Sequence, residues 1–150
     1  MPGHPTNHTM SRRFLLLALG ALLLAGAVFF AYSEYDREVA ATATRPVKQS
    51  VTAIQLLADF QADEVAATQR YVGAAEQVVQ VVGTIRSIER VDTAITNVLL
   101  ETADELAGVV CEFPNNDLPT TWGVGHEVRV NGICTGMLMD VVLVRCIAAP

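Results

Sequence analysis

The sequence predicts a mainly β domain, a closed five-stranded barrel preceded by two short helices, carried behind an N-terminal transmembrane helix. Three observations lead there. Residues 14–32, FLLLALGALLLAGAVFFAY, contain no charge. Residues 50–73 place apolar side chains three and four apart. From residue 77 onward, β-branched runs alternate with segments rich in turn formers.

At about 1.5 Å per helical residue, the uncharged run reaches about 28 Å, close to the apolar thickness of a bilayer. Arg12 and Arg13 precede it; Glu34, Asp36 and Glu38 come after. Positive residues stay inside, so residues 1–13 form a cytoplasmic tail and the C-terminal part faces outward. A second reading is a cleaved signal with residues 14–24 as its apolar core and Ala25-Gly26-Ala27 as the cleavage site, leaving a secreted domain. The anchor is preferred, because apolar residues continue through Val28, Phe29, Phe30, Ala31 and Tyr32. Translation from Met10 in place of Met1 would leave this reading intact.

Residues 33–49 read as a spacer, charged and then rich in Ala and Thr, with Arg45-Pro46 ending any helix. Residues 50–150 form the domain. A first helix starts near Ser50, with Ile54, Leu57 and Ala58 on one face. Asp63 caps a second, from Asp63 to Tyr71, with Val65, Ala66 and Val72 on its buried side and Gly73 as its stop.

Five strands complete the domain. Residues 77–86 form the first, with Val79, Val81, Gly83 and Ile85 on one face and Gly83 marking a bend. Residues 93–100 form the second, and residues 108–113 the third, with Val109, Cys111 and Phe113 inward. Residues 127–134 alternate cleanly, with Val128, Val130, Gly132 and Cys134 in and Arg129, Asn131 and Ile133 out. Residues 140–147 form the fifth. Five coiled strands closing on themselves hide their edges economically at this size.

The segment Asp63-Glu64-Val65-Ala66-Ala67-Thr68-Gln69-Arg70-Tyr71-Val72-Gly73 has the form D-E-x-x-A-x-x-x-Y-x-G. Together with the closing segments 130–136 and 140–146, it resembles bacterial membrane-anchored or exported OB-fold proteins of the tRNA_anti-like family, named for the anticodon-binding domain of tRNA synthetases. The resemblance spans about residues 51–147. It implies a Greek-key OB-fold barrel and leaves the ligand open, because its motifs are structural and fold does not carry function.

Charge argues against nucleic acid. With Arg12 and Arg13 set aside, eight basic and sixteen acidic residues remain, a net of −8. Single-strand binders stack bases on aromatics along a basic groove. After residue 50 the aromatics are only Phe60, Tyr71, Phe113 and Trp122. The candidate contact surface is the barrel face with loops 87–92, 114–125 and 135–140, including Arg86, Arg90, Asn115, Asn116, Trp122, Met137 and Met139. Trp122 has a competing role as a plug at the end of the core.

No enzyme is expected. His126 has no candidate partner, the glycines form no phosphate loop, and neither a metal nor another cofactor is implied. In an oxidising compartment, a hairpin turning near Leu138 and Met139 favours a Cys134–Cys146 disulfide. Cys111–Cys146 is the rival, since the third and fifth strands are neighbours in an OB barrel; three buried thiols are the remaining alternative. The function expected is an outward-facing, membrane-tethered binding module for a protein, glycan or small molecule. The alternatives are a structural envelope component without small ligand, and single-strand nucleic-acid binding inherited with the fold.

Overall fold

The computed structural model describes residues 18, 20–30, 33, 42–73 and 77–150, in two compact units, residues 1–37 and 38–150. In the first, residues 20–30 are helical, and Leu22, Leu23, Leu24, Val28, Phe29 and Phe30 are all exposed. Ala18 is helical and exposed as well, and the other residues of the expected transmembrane run lie outside the described residues. Among the described residues, no helix is long and apolar enough to cross a membrane.

The second unit is a sheet rolled into a barrel. Its elements are β1 (Val47–Thr52), α1 (Ala53–Ala62), α2 (Glu64–Ala67), β2 (Val78–Arg90), β3 (Ile95–Leu100), β4 (Val109–Pro114), β5 (Glu127–Met137) and β6 (Val141–Ala148). Strand order is β1-β2-β3-β4-β6-β5, and an antiparallel β2–β5 pairing closes β2 through β6 on themselves. Five strands thus form the barrel, as the sequence predicts, and β4 and β6 run parallel within it.

β1 is an addition. Residues 47–49 belong to it and not to a spacer, and residues 50–52 are strand where a helix was expected. It pairs in parallel with the first half of β2, from Val47 opposite Val78 to Thr52 opposite Val82. Its mostly exposed VKQSVT lacks the alternation that marks a half-buried strand.

Thr52 then caps α1, its hydroxyl accepting from the Gln55 amide at 3.1 Å. The chain turns over the barrel, and Ala53 lands on Gly83: a Cβ at Gly83 would sit 3.0 Å from that of Ala53. Gly83 therefore serves close approach of the helix, and the β2 bulge lies between Ile85 and Ser87. This seat sets the buried stripe of α1 as Ala53, Leu56, Leu57 and Phe60. Leu57 is inside as expected, but Ile54 and Ala58 face out.

Asp63 caps α2, accepting from the Ala66 amide at 3.0 Å. After Ala67 the helix widens into a π turn over Thr68–Val72, and Gly73 ends it at φ 67°. The buried face differs from the expected one: Ala67 and Tyr71 are buried, whereas Val65 and Ala66 are exposed. The Tyr71 hydroxyl donates to Asp59 at 2.5 Å, bolting the second helix to the first, and Gln55 donates to the same carboxylate at 2.6 Å. The D-E-x-x-A-x-x-x-Y-x-G segment is thus a cap, a buried alanine, a bolt and a stop.

The barrel core holds Val79, Val81, Ile85, Val98, Leu100, Val109, Cys111, Phe113, Val130, Cys134, Val141, Leu143 and Cys146, with α1 against it. Inward phases in β2, β4 and β5 follow the alternation in sequence, except that Val78 and its partner Ile133 are buried too.

The hydrogen bond from Tyr71 is the leading cause holding the Asp59 carboxyl below its ordinary 3.8. A carboxylate lowered on folding stabilises the fold above 3.8, and that contribution is lost as pH falls through its lower folded value. Tyr71→Phe should therefore cost about 1 kcal/mol near neutrality. The difference from wild type should narrow below pH 3.8 in denaturation curves recorded across the acid range.

Candidate functional site

In an OB barrel, the second and third barrel strands, flanked by loops, read oligomeric ligands. Here these are β3 and β4. Thr96, Val98 and Leu100 point into the barrel, as do Val109, Cys111 and Phe113. The outward positions pair as Ile95 with Pro114, Asn97 with Glu112, and Leu99 with Val110. From the neighbouring β2, Glu89 pairs with Asn97 and Ser87 with Leu99. The middle row of the face is therefore Glu89, Asn97, Glu112. The outward positions of β3 and β4 carry no basic and no aromatic side chain. Asn97 Oδ1 is buried without a hydrogen-bond partner.

The three loops expected to cooperate divide between the two ends of this face. At one end, β2–β3 and β4–β5 are buckled by Asn115. Its amide nitrogen donates to the Ala94 carbonyl at 2.8 Å, Thr96 donates to its Oδ1 at 2.6 Å, and its Nδ2 donates to the Asp92 carbonyl at 3.2 Å. Asp92 closes the β2–β3 turn by accepting from the Ala94 and Ile95 amides, which lower its pKa. At the other end, the 138–140 hairpin tip meets the 101–108 loop: Gly108 donates its amide to Asp140 at 2.7 Å.

Several expected contact residues hold the fold instead. Arg86 is mostly buried; it pairs with Glu101 at 2.9 Å and donates to the Asp104 carbonyl at 2.9 Å, fixing the 101–108 loop. Gln61 on α1 donates to Asp104 at 3.1 Å, extending that tie to the helix. Trp122 packs edge-on against Phe113, with centroids 5.5 Å apart, so the plug role describes its place. Met137 is half-buried against the core. Arg90 and Asn116 are exposed, as are Leu138 and Met139 at the hairpin tip. Leu106 lies exposed in the adjoining loop, where no periodic pattern in the sequence singles it out.

Phe60, Tyr71 and Phe113 are buried, and Trp122 is partly buried beside Phe113. Two clefts open elsewhere. One, about 190 Å³, is lined by Asp59, Ala62, Asp63, Ala66, Ala67 and Arg70. The other, about 320 Å³, is lined by Trp122, Glu127, Val128, Arg129, Ala149 and Pro150. Among the described residues, no group of three or more His, Cys, Asp or Glu could hold a metal.

The expected Cys134–Cys146 bond is absent, and all three cysteines are buried free thiols. The register explains it. Cys134 pairs with Leu143, while a shift between Asn131 and Ile133 leaves Cys146 against Gly132, where a Cβ would meet its sulfur at 2.7 Å. Burial pushes the Cys134 thiol up to about 11 and the Cys146 thiol well above its ordinary value, so neither is a poised nucleophile.

The tRNA_anti-like family model matches residues 9–148. The chain belongs to the tRNA_anti-like family. The closed barrel with order β2-β3-β4-β6-β5 is the OB topology that this membership implies. A crystal structure of a Klebsiella pneumoniae lipoprotein, to which nucleic-acid binding is provisionally ascribed, matches with TM-score 0.53 and 15% identity, covering 73% of this chain and 96% of that one. At that identity the likeness speaks to the fold alone. Asparaginyl-tRNA synthetase of Entamoeba histolytica, in complex with asparaginyl-adenylate, matches with TM-score 0.37 and 11% identity, covering 52% of this chain and 22% of that one. No curated protein matches this chain at a significant level.

An unsatisfied buried acceptor costs stability. Asn97→Leu should raise the free energy of unfolding by about 1 kcal/mol, read as a higher urea midpoint at unchanged slope.

Proposed function

We propose that this tRNA_anti-like protein is a membrane-tethered binding module that presents its OB barrel outside the cytoplasm, with residues 1–13 inside, 14–32 spanning and the barrel reached through a short linker. The exposed apolar side chains of helical residues 20–30, together with Arg12 and Arg13, support the tether. The observation that carries the ligand class is the β3–β4 face. Its outward side chains are apolar, neutral or acidic, and Glu89 and Glu112 flank Asn97. Such a surface suits a protein, a neutral glycan or a small molecule that offers N–H or O–H donors. It repels a phosphate backbone, and the four aromatics after residue 50 that could stack bases are committed to packing.

Single-stranded nucleic acid is the second reading. The binding ascribed to the Klebsiella lipoprotein and the family's likeness to an anticodon-binding domain favour it.

Two measurements test the proposal. An alkaline phosphatase fused after Pro150 should be active in intact cells, and activity confined to cytosolic extract would remove the tethered topology. Full-length protein in detergent, titrated with fluorescent single-stranded DNA and RNA, should show affinity no tighter than about 10⁻⁴ M at physiological salt. A tighter complex that weakens steeply with added salt would install the second reading.

A further inference from the structure

The barrel unit receives its incoming chain at one end. β1 begins at Val47 beside Val78, the first residue of β2, and the two run parallel. β2 runs antiparallel to β3 and β5, β3 antiparallel to β4, and β4 parallel to β6. That end therefore collects the starts of β1, β2, β4 and β6 and the ends of β3 and β5, with the 101–108 loop and the 138–140 hairpin tip among them. Among the unit's described residues, the three most exposed large apolar side chains lie in those two connections: Leu138 at 96%, Leu106 at 87% and Met139 at 78%. The connections at the opposite end show only Val91 and Val124, smaller and less exposed. A hairpin tip ordinarily carries Gly, Asn or Asp, so Leu138-Met139 gives up turn-favouring chemistry for apolar surface. Both connections are tied in place. Gly108 donates its amide to Asp140 at 2.7 Å, the Leu106 amide donates to Asp104 at 2.8 Å, and the Thr102 hydroxyl donates to the Ala107 carbonyl at 2.6 Å. Arg86 holds Glu101 and the Asp104 carbonyl from β2.

We propose that this end of the barrel seats on the lipid bilayer, with Leu106, Leu138 and Met139 entering the boundary between headgroups and acyl chains. The inference rests on the membrane-spanning reading of residues 14–32 given above. That reading leaves fourteen residues, 33–46, between the membrane and β1. They reach about 50 Å at full extension, so the barrel stays within reach of the surface. The end where the chain enters can touch that surface over a shorter span of chain than the other end. Three apolar side chains bind a bilayer weakly by themselves, but a short tether makes the contact intramolecular, at an effective concentration of about millimolar. The contact is apolar, not electrostatic. The two connections carry Glu101, Asp104, Glu105 and Asp140 and no basic residue. Glu101, Asp104 and Asp140 are taken up by the bonds above, and Glu105 is exposed beside Leu106. Seating is therefore no weaker on neutral lipid than on anionic lipid. It turns the other end of the barrel, with loops 91–94 and 115–126, away from the membrane.

Tryptophan emission reads the seating, because Trp122 is the chain's one tryptophan and lies in the 115–126 loop at the far end. Full-length protein is reconstituted into phosphatidylcholine vesicles, with plain or brominated acyl chains, and emission is compared between the two. Leu138→Trp adds an indole at the hairpin tip, Leu106→Trp one in the adjoining loop, and Val124→Trp one at the far end. All three sites are exposed, and an unchanged urea midpoint checks each variant's fold. Brominated lipid should remove most of the emission added at 138 and at 106, and leave the emission added at 124 and that of Trp122 in the wild type. Adding phosphatidylglycerol should not deepen the quenching. Emission added at 138 and 106 that survives bromination in vesicle-bound protein, or equal quenching at 138 and 124, would overturn the seating and leave the tether standing. Survival together with a dimer on sedimentation in detergent would give the tip to a second copy of the chain instead. Protein that fails to float with the vesicles on a sucrose gradient would remove the tether and the seating together.

Discussion

β2 must satisfy backbone donors and acceptors on both edges over thirteen residues, and this requirement organises the domain. β5 covers one edge from Val78 to Thr84. β1 covers the other from Val78 to Val82, and β3 takes over from Ile85 to Arg90 past a bulge. One strand thus serves as the seam of the barrel and the seat of the helix. Because β1 runs parallel to β2, the chain leaves β1 at the level of Gly83, and α1 begins on that residue. The helix could not approach so closely over any larger side chain.

The consequences reach the face that would meet a ligand. A small barrel needs bulky side chains to fill its interior and ends, and here nearly all the aromatic surface goes to that purpose. Phe113 fills the barrel, Trp122 closes over it, and Phe60 and Tyr71 pack together beneath the helices. The outer face of β3 and β4 is left with aliphatic, amide and carboxylate groups. A fold shared with nucleic-acid readers therefore carries a surface whose charge disfavours phosphate.

Strand phases are readable from sequence wherever one face is buried and the other wet, because alternation then records burial directly. β2, β4 and β5 show this. β1 escapes such a reading because both its faces are largely exposed, so no alternation survives in VKQSVT. The helix stripes differ from expectation for another reason. Which of Ala53, Ile54, Leu57 or Ala58 turns inward depends on where the helix lands, and the same holds for the second helix, where Ala67 and Tyr71 turn in while Val65 turns out. Among the residues expected at the contact loops, Arg86 and Asn115 prove to be ties between segments distant in sequence.

The chain's own composition determined the uncharged run, the acidic balance of the residues beyond it, the five strands, and the inward phases of β2, β4 and β5, since each is a local or summed property. Tertiary structure decided that Cys146 turns into the core, which face stays free of bases and aromatics, and which polar residues are spent on holding loops. Those outcomes depend on register between strands far apart in sequence. A single extra residue at Arg145 moves every side chain after it to the opposite face, and no local pattern reports such a shift.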